Sequence, residues 1–584
     1  MFSAFPLTFF GGVMAAREGY FKKLIKPLIV LFSIMCVWAV LQFFLLNGYY
    51  NGQARHPLAD PSSLGALFSL VLFCALGWVL ADRPKKEHRL AVAFAILVVC
   101  GIMSTVARGP VFAFAPGFLL FAVLLWPQIK AKRKSLFIIL LGALAFYGVM
   151  QTGIQKRYDL GKRLYGTVSL EMENPTNNRL YIWESTLHMI KDKPLLGTGM
   201  GTYFLLYPEY RLKEEADGVF LAHNDPLQFW VELGVLGPIL FYAFAVACAA
   251  RSFKALKQLG PEKIRERLII VSIFAALTAL VAQSHVSFNH YNLSILMLEG
   301  LLLSLWFHAT GQALKEPQSL SGLPETMPAA VNKIILALPL VLMGWLFSSV
   351  MAGEYYASRA RDNLFAGQMD CGELTGRKTT SNCFMDNINN AAKISMGLNY
   401  RAYLFAVNVP IAILEDRKDL LSEEQQKKLY EQVVGYMYDA LAINPRVATA
   451  YYYLAKVQTL VRPEVIPKDT ASAEELYRRA LTIDPVHLGA RMALLALYKQ
   501  QNVAKEAQLA LLEEGITYSY NTTMAMDYYS ELSRLYLETG NYGKMKEIMN
   551  MAIRFKKRSD YSAAKQANTL PQAIMGGNEM FQVP

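Results

Sequence analysis

Charge is scarce in this chain. Asp, Glu, Lys and Arg make up 18% of its 584 residues and hydrophobic types 54%, where an ordinary soluble domain carries roughly 25% charge. That balance excludes a wholly soluble protein. Apolar runs of spanning length occur at about 28–46, 64–81, 89–106, 110–127, 135–151, 227–250, 268–284, 291–309 and 334–352. They predict an all-α polytopic membrane helix bundle of about nine spans. Acidic residues are the scarcer sign, 46 against 58 basic. The basic excess is clustered: Arg17, Lys22, Lys23 and Lys26; Arg83, Lys85, Lys86 and Arg89; Lys130, Lys132, Arg133 and Lys134; and Arg251, Lys254, Lys257, Lys263, Arg265 and Arg267. These clusters fall on every second connection, which places them in the cytoplasm. The loops near Arg55, Arg108, 152–225 and 285–290, and everything after 352, are then expected outside. The net charge of +12 is thereby a topology signal, and no nucleic-acid partner is implied.

Cysteine is rarer still, at six residues. Cys36, Cys74, Cys100 and Cys248 lie in apolar runs, where a lone thiol is packing. Cys371 and Cys383 stand in the polar part, in an exported and oxidising setting, and are expected to form a disulfide. Residues 2–15 are apolar but too short to span, and they lack the basic start and cleavage site of a signal peptide.

The chemistry is expected around His223. Asp225 followed by Pro226 reads as a helix start, with Gln228 placed to complete a capping box. Leu227 to Ala250 is apolar and long enough to span. His223 then sits just outside the positive end of a membrane helix, where a neutral, base-competent imidazole beside an anion site is reasonable. Glu232, inside the same apolar run, needs a partner or a task. The plain alternative for His223 is a capping or interfacial residue. Arg108 lies in the small, kinked connection Ser104–Pro110, where a snorkelling role competes with a binding one. Arg179 opens a helical pattern with Leu180, Trp183, Leu187 and Ile190 on one face. Gly197, Gly199 and Gly201 do not have dinucleotide-loop spacing and read as a tight turn packing the external loop over the site. Glu171 with Glu173, and His285 with His290, lack convergent metal-ligand spacing and read as solvated loop residues. No metal and no cofactor is expected.

Together these segments resemble a known family. The run H-N-x-x-L-Q-x-x-x-E-x-G-x-x-G from His223 to Gly237 is similar to the signature of the O-antigen ligase superfamily. That superfamily includes O-antigen polymerases and protein O-oligosaccharyltransferases. A second segment, R-x-x-x-W from Arg179 followed by P-L-L-G-x-G-x-G-x-Y-F from Pro194, resembles it too. Arg108 matches the Arg of a Ser-Arg-Gly-like turn, with Ala107 in place of Ser. Asp60-Pro61 stand where the family tends to carry an Asn-rich turn. Family members usually carry more helices before the span ending at Leu41-Gln42, so the expectation here is either a late start or a start assigned in the wrong place.

The resemblance implies transfer of a glycan from an undecaprenyl-diphosphate carrier to an acceptor hydroxyl, without a metal, at the outer face of a bacterial cytoplasmic membrane. Arg108 and Arg179 would hold the diphosphate, His223 would serve the acceptor, and Glu232 would orient one of them. The first expectation for the acceptor is lipid A–core. A growing polysaccharide or an exported protein are alternatives with the same chemistry, and a non-catalytic scaffold presenting repeats is the reading from another class.

The domain plan is a membrane glycosyltransferase domain over 1–352 with external loop 152–225, then a linker over 353–389 holding the cysteine pair. Helical repeats follow over 390–560, and 561–584 is a loose tail. Ala440-Leu441-Ala442-Ile443-Asn444-Pro445 returns as Ala480-Leu481-Thr482-Ile483-Asp484-Pro485, an offset of 40 residues. This is the roughly 34-residue tetratricopeptide period with an insertion placed at 461–470. Such repeats bind a protein partner and carry no chemistry of their own.

Overall fold

The computed structural model describes residues 4–17, 21–45, 53–58, 60–152, 179–212, 221–260, 262–315, 383–394, 400–516 and 524–553, with isolated positions around 161–165 and 352–363. All regular structure among them is helical. The chain divides into two compact units, Met1–Tyr203 with Phe220–Glu325, and Phe204–Val219 with Thr326–Ser559; Asp560–Pro584 is counted with the first.

The first unit is a polytopic bundle. Its helices are α1 (Ala4–Arg17), α2 (Phe21–Leu45), α3 (Pro61–Leu80), α4 (Lys85–Ser104), α5 (Arg108–Leu124), α6 (Trp126–Ala131) and α7 (Arg133–Thr152). After them come α8 (Arg179–Asp192), α9 (Tyr203–Tyr210, which runs into the second unit), α10 (Asp225–Leu233), α11 (Leu236–Gln258), α12 (Ile264–Ser284) and α13 (Leu293–Ala313). Seven are long and apolar enough to cross a membrane, and α5 is a shorter apolar helix. The expected span at 334–352 lies outside the described residues.

The centre of the bundle is α3 and α12, whose apolar windows are 89% and 72% buried by protein. By contrast α7 and α11 are 11% and 17% buried, which is the pattern of helices whose partner is lipid. Small residues set the close approaches, as in membrane helix packing generally. A Cβ on Gly117 of α5 would stand 2.7 Å from the Ala275 carbonyl of α12. One on Gly300 of α13 would stand 2.7 Å from the Phe5 carbonyl of α1. The short N-terminal run thus packs as a helix within the bundle.

One expected span is drawn differently. The apolar run 227–250 is two helices, because the chain turns at Gly234 with φ +67. The spanning part starts at Leu236 and continues to Gln258, so Glu232 lies on a separate nine-residue helix. Hydropathy alone cannot see this break, since both sides of it are apolar.

The second unit is built of consecutive helices: α14 (Phe384–Ile394), α15 (Tyr400–Ala406), α16 (Asn408–Arg417), α17 (Glu423–Ile443), α18 (Ala448–Leu460), α19 (Ala473–Ile483), α20 (Leu488–Gln500), α21 (Lys505–Ile516) and α22 (Met524–Glu538). Capping boxes Ser422/Gln425 and Ser472/Glu475 open α17 and α19, each satisfying two orphan donors. The repeated hexapeptide makes the same turn twice. Asn444 Oδ1 accepts from Arg446 N and Asp484 Oδ1 from Val486 N, both at 3.1 Å. Ala440 and Ala480 are fully buried. Buried Tyr528 and Tyr536 spend their hydroxyls on the Leu512 carbonyl (2.6 Å) and on Glu513 (2.7 Å), as buried phenols must. Glu209 pairs with Arg446 at 2.8 Å within this unit. Cys383 is disulfide-bonded, and Cys36, Cys74, Cys100 and Cys248 are free; Cys371, its expected partner, lies outside the described residues.

Candidate functional site

Several helices of the first unit end around His223. Helix α10 is capped by Asn224, whose Oδ1 accepts from Leu227 N at 3.0 Å. This corrects the expected cap at Asp225 by one residue. Asp225 is the first helical residue with Pro226 behind it, and Gln228 does not close a capping box. Instead Gln228 Oε1 accepts from Ala222 N (2.9 Å) and its Nε2 donates to Glu232 Oε1 (3.3 Å). The Asn224 side chain also donates to the His285 carbonyl at 3.0 Å, tying the cap to the end of α12.

His223 is held by the residue before it. The Ala222 carbonyl accepts from Trp183 Nε1 of α8 at 3.1 Å, so Ala222 is pinned between α8 and α10. His223 itself has φ +51, a backbone state uncommon for a non-glycine residue and reached more often by His, Asn and Asp than by others. Its ring meets Phe288 edge-on, with centroids 5.0 Å apart.

The electrostatics place four groups together. Burial first, and then the Arg179 guanidinium, lower the His223 pKa to about 4 against the opposing pull of the Asp60 carboxylate. The Arg179 guanidinium is lowered to about 10 by burial and by repulsion from Arg108, again opposed by Asp60. At neutral pH His223 is therefore neutral while Arg179 stays a cation. Arg108 opens α5, and Asp60 caps α3, its Oδ2 accepting from Ser63 N at 2.6 Å. Gln283 of α12 joins the α3 end by donating to the Ser62 carbonyl at 3.0 Å. Arg108, Arg179 and His223 are thus drawn into one site. From the sequence Asp60 stood out only as a departure from the family's Asn-rich turn and was given no role; the further signal was an Asp-Pro helix start.

The hydrogen-bond partners of Glu232 are all neutral groups. Its carboxylate accepts from Tyr291 OH (2.6 Å), from Gln228 Nε2 and from Tyr203 N (3.4 Å), and it is 1% exposed. Its link to His223 runs through Gln228 and Ala222. The glycine turn closes on the same helix: Gly199 N donates to the Glu232 carbonyl and Thr198 N to that of Val231, both at 2.9 Å. A Cβ on Gly197 would collide with Gly234 N, and one on Gly234 with the Leu195 carbonyl. Two chains pass here backbone against backbone, which only glycine permits.

His290 departs from expectation. It is no solvated loop residue. Its backbone N and Nδ1 both reach Asp225 Oδ2, at 3.2 and 2.8 Å, and Nε2 lies 3.5 Å from Glu299. Burial alone would lower its pKa, but the two carboxylates outweigh it and raise the value to about 10. A buried imidazolium between two carboxylates locks α10, the turn Asn289–Tyr291 and α13 to one another. The pattern H-x-x-x-x-H around a polar turn gave no hint of partners 65 and 9 residues away. His285 is likewise committed, to Tyr242 OH and the Val281 carbonyl, each at 2.8 Å. The exposed face of α8 is also shifted: Leu180 and Leu187 point outward, and Ile182, Ser185, Thr186, Met189 and Ile190 are buried. Among the described residues no group of three or more His, Cys, Asp and Glu is arranged to hold a metal ion. Glu171 and Glu173 lie outside them.

Residues 93–242 match the family model described as O-antigen ligase. The O-antigen ligase match begins within α4 and ends within α11, so it contains Arg108, Arg179, His223 and Glu232 and stops short of His290. Two curated relatives are similar to this chain. An uncharacterised protein of Haemophilus influenzae is 25% identical over 229 residues, 36% of this chain and 55% of that protein. A Rickettsia conorii protein provisionally named a polysaccharide ligase is 24% identical over 273 residues, 44% of this chain and 60% of that protein. The chain thus spans little more than half the length of either. The likeness is to membrane-embedded, ligase-type glycosyltransferases of the O-antigen ligase kind.

Proposed function

We propose that the chain transfers a preassembled glycan from an undecaprenyl-diphosphate carrier to an acceptor hydroxyl, with lipid A–core as the acceptor, at the external side of the cytoplasmic membrane. The observation that carries this reading is the grouping of two partly buried guanidiniums with a neutral imidazole at the ends of α3, α5, α8 and α10. Breaking the glycosyl–phosphate bond releases a diphosphate, and planar guanidiniums hold its oxygens bidentately as charge develops. The helix N-termini at Asp60, Arg108 and Asn224 add positive potential of the same sense. The acceptor hydroxyl attacks the anomeric carbon and passes its proton to His223.

A free-site pKa near 4 makes His223 a weak base. The diphosphate offsets part of this: burial is the larger cause and stays, but the diphosphate charge neutralises the Arg179 cation that lowers His223 further, moving the imidazole toward the working pH at which a general base is most effective. Base strength would thus rise when donor is bound. Gln228 and Glu232 act on His223 only as supports. No step requires a metal or cofactor. The helices of the second unit are read as tetratricopeptide-like and as a surface for a protein partner.

Mass analysis of lipopolysaccharide from a strain lacking this gene tests the proposal. Loss of the polymeric glycan from lipid A–core, restored by the wild-type chain and not by the His223→Ala form, is expected. Intact glycosylated lipid A–core with glycan missing from exported protein would move the acceptor to protein.

A further inference from the structure

The turn at Pro194–Gly197 is apolar where a solvated loop would be polar. Leu195 and Leu196 are 69% and 88% exposed, yet they lie outside every spanning helix. Their placement is fixed. The Pro194 carbonyl accepts from Val235 N at 2.9 Å and from Trp230 Nε1 at 3.1 Å, and Gly197 and Gly234 leave no slack between the two backbones. The leucines are therefore held across the α10–α11 junction, directly ahead of Leu236.

Leu236 starts the outward face of α11, which goes on through Ile239, Leu240, Phe244 and Val246, all exposed. On a spanning helix such a face is covered by acyl chains. Arg251, Lys254 and Lys257 mark where α11 leaves the bilayer at its other end. From Lys254 back to Leu236 the helix rises about 27 Å, against a hydrocarbon layer about 30 Å thick. Leu236 is then at the opposite edge of that layer, with Leu195 and Leu196 beside it. Trp230, fastened to Pro194, is the residue type enriched at that boundary.

We propose that the Leu195–Leu196 turn is seated in the bilayer interface, its side chains among lipid acyl chains alongside α11. The lipid face of the molecule thereby includes a loop that hydropathy would assign to water. This holds for either orientation of the bundle and does not depend on the transfer reaction.

The full-length Leu196→Cys chain carrying an environment-sensitive NBD label, reconstituted in phosphatidylcholine–phosphatidylglycerol vesicles, tests it, with the unsubstituted chain as the blank for native thiols. Expected is blue-shifted emission quenched by lipids bearing a nitroxide high on the acyl chain and insensitive to aqueous iodide. A Lys191→Cys label on exposed α8 should show the reverse, and Leu195→Cys should repeat the Leu196 result. Iodide quenching at both leucine positions equal to that at Lys191 would overturn the proposal. So would blue-shifted emission without nitroxide quenching that disappears on dilution into more vesicles, which would assign the turn to a second copy of the chain.

Discussion

His223 and Arg179 make opposite demands of the same pocket. In the proposed reaction Arg179 must stay charged to hold a diphosphate, and its charge adds to burial in keeping His223 neutral. The His223→Ala form is expected to lose about 10²–10⁴-fold in transfer, the usual cost of one general base, while still inserting and binding donor lipid. A loss of only a few-fold, measured with purified donor and acceptor, would make His223 a structural residue at the helix entrance. Arg179→Lys should be severe although charge is kept, because one ammonium cannot replace a planar fork. Arg108→Ala should chiefly weaken donor binding, read as a raised KM.

The acid limb of kcat/KM should lie well below the pH 6.5 of a free imidazole, since His223 in the empty site is lowered to about 4. His290 gives the opposite sign. Its folded pKa, raised to about 10, exceeds the unfolded value near 6.5. Its contribution is thus fully present below pH 6.5 and drains away as pH rises toward 10. Thermal unfolding followed from pH 6 to 10 should show that decline in the wild-type chain and a flatter profile in His290→Gln. Parallel profiles would remove the buried imidazolium.

At the scale of elements, the joint between α10 and α11 is the sensitive one. Gly234→Ala would put a methyl group into the Leu195 carbonyl at a backbone angle that L residues rarely adopt. Its unfolding temperature should drop by the equivalent of more than about 1 kcal/mol, and more than a Gly148→Ala control, where no neighbour lies within 4 Å. Equal effects at both positions would deny the tight crossing. This joint also shows what the sequence could and could not reveal. Helical periodicity and span length located α3, α4, α5, α7, α12 and α13 within a few residues, because those signals are local. The glycine at 234 was visible, but only its contact with residues 195–197, nearly forty positions away, turns it into a break. The roles of Asp60 and His290 escaped for the same reason. Their partners lie on other elements, and one chain without its fold offers no spacing to read.

For the whole molecule, orientation is the statement with most at stake. Reporters fused after Lys86 or Arg133 should read cytoplasmic, and those after Gly166 or Lys418 external. A cytoplasmic reading at Gly166 would put His223 on the wrong side for an exported acceptor. Thiol labelling should agree: Cys371 and Cys383 should label only after reduction, and equal labelling before and after would argue against an exported second unit.

Tyr203 and Ala222 bracket an excursion of the chain between α8 and α10. Tyr203 is fastened by its hydroxyl to Thr186 of α8 (2.8 Å) and by its N to Glu232 of α10. Ala222 is fastened to Trp183 of α8 and Gln228 of α10. Both stems of the excursion are thus clamped to the same two helices. Closing a longer excursion between fixed stems costs little, about 0.6 kcal/mol for each doubling of its length. Insertions and deletions between the clamps can therefore accumulate, or a foreign peptide be spliced in, while His223 keeps its aim.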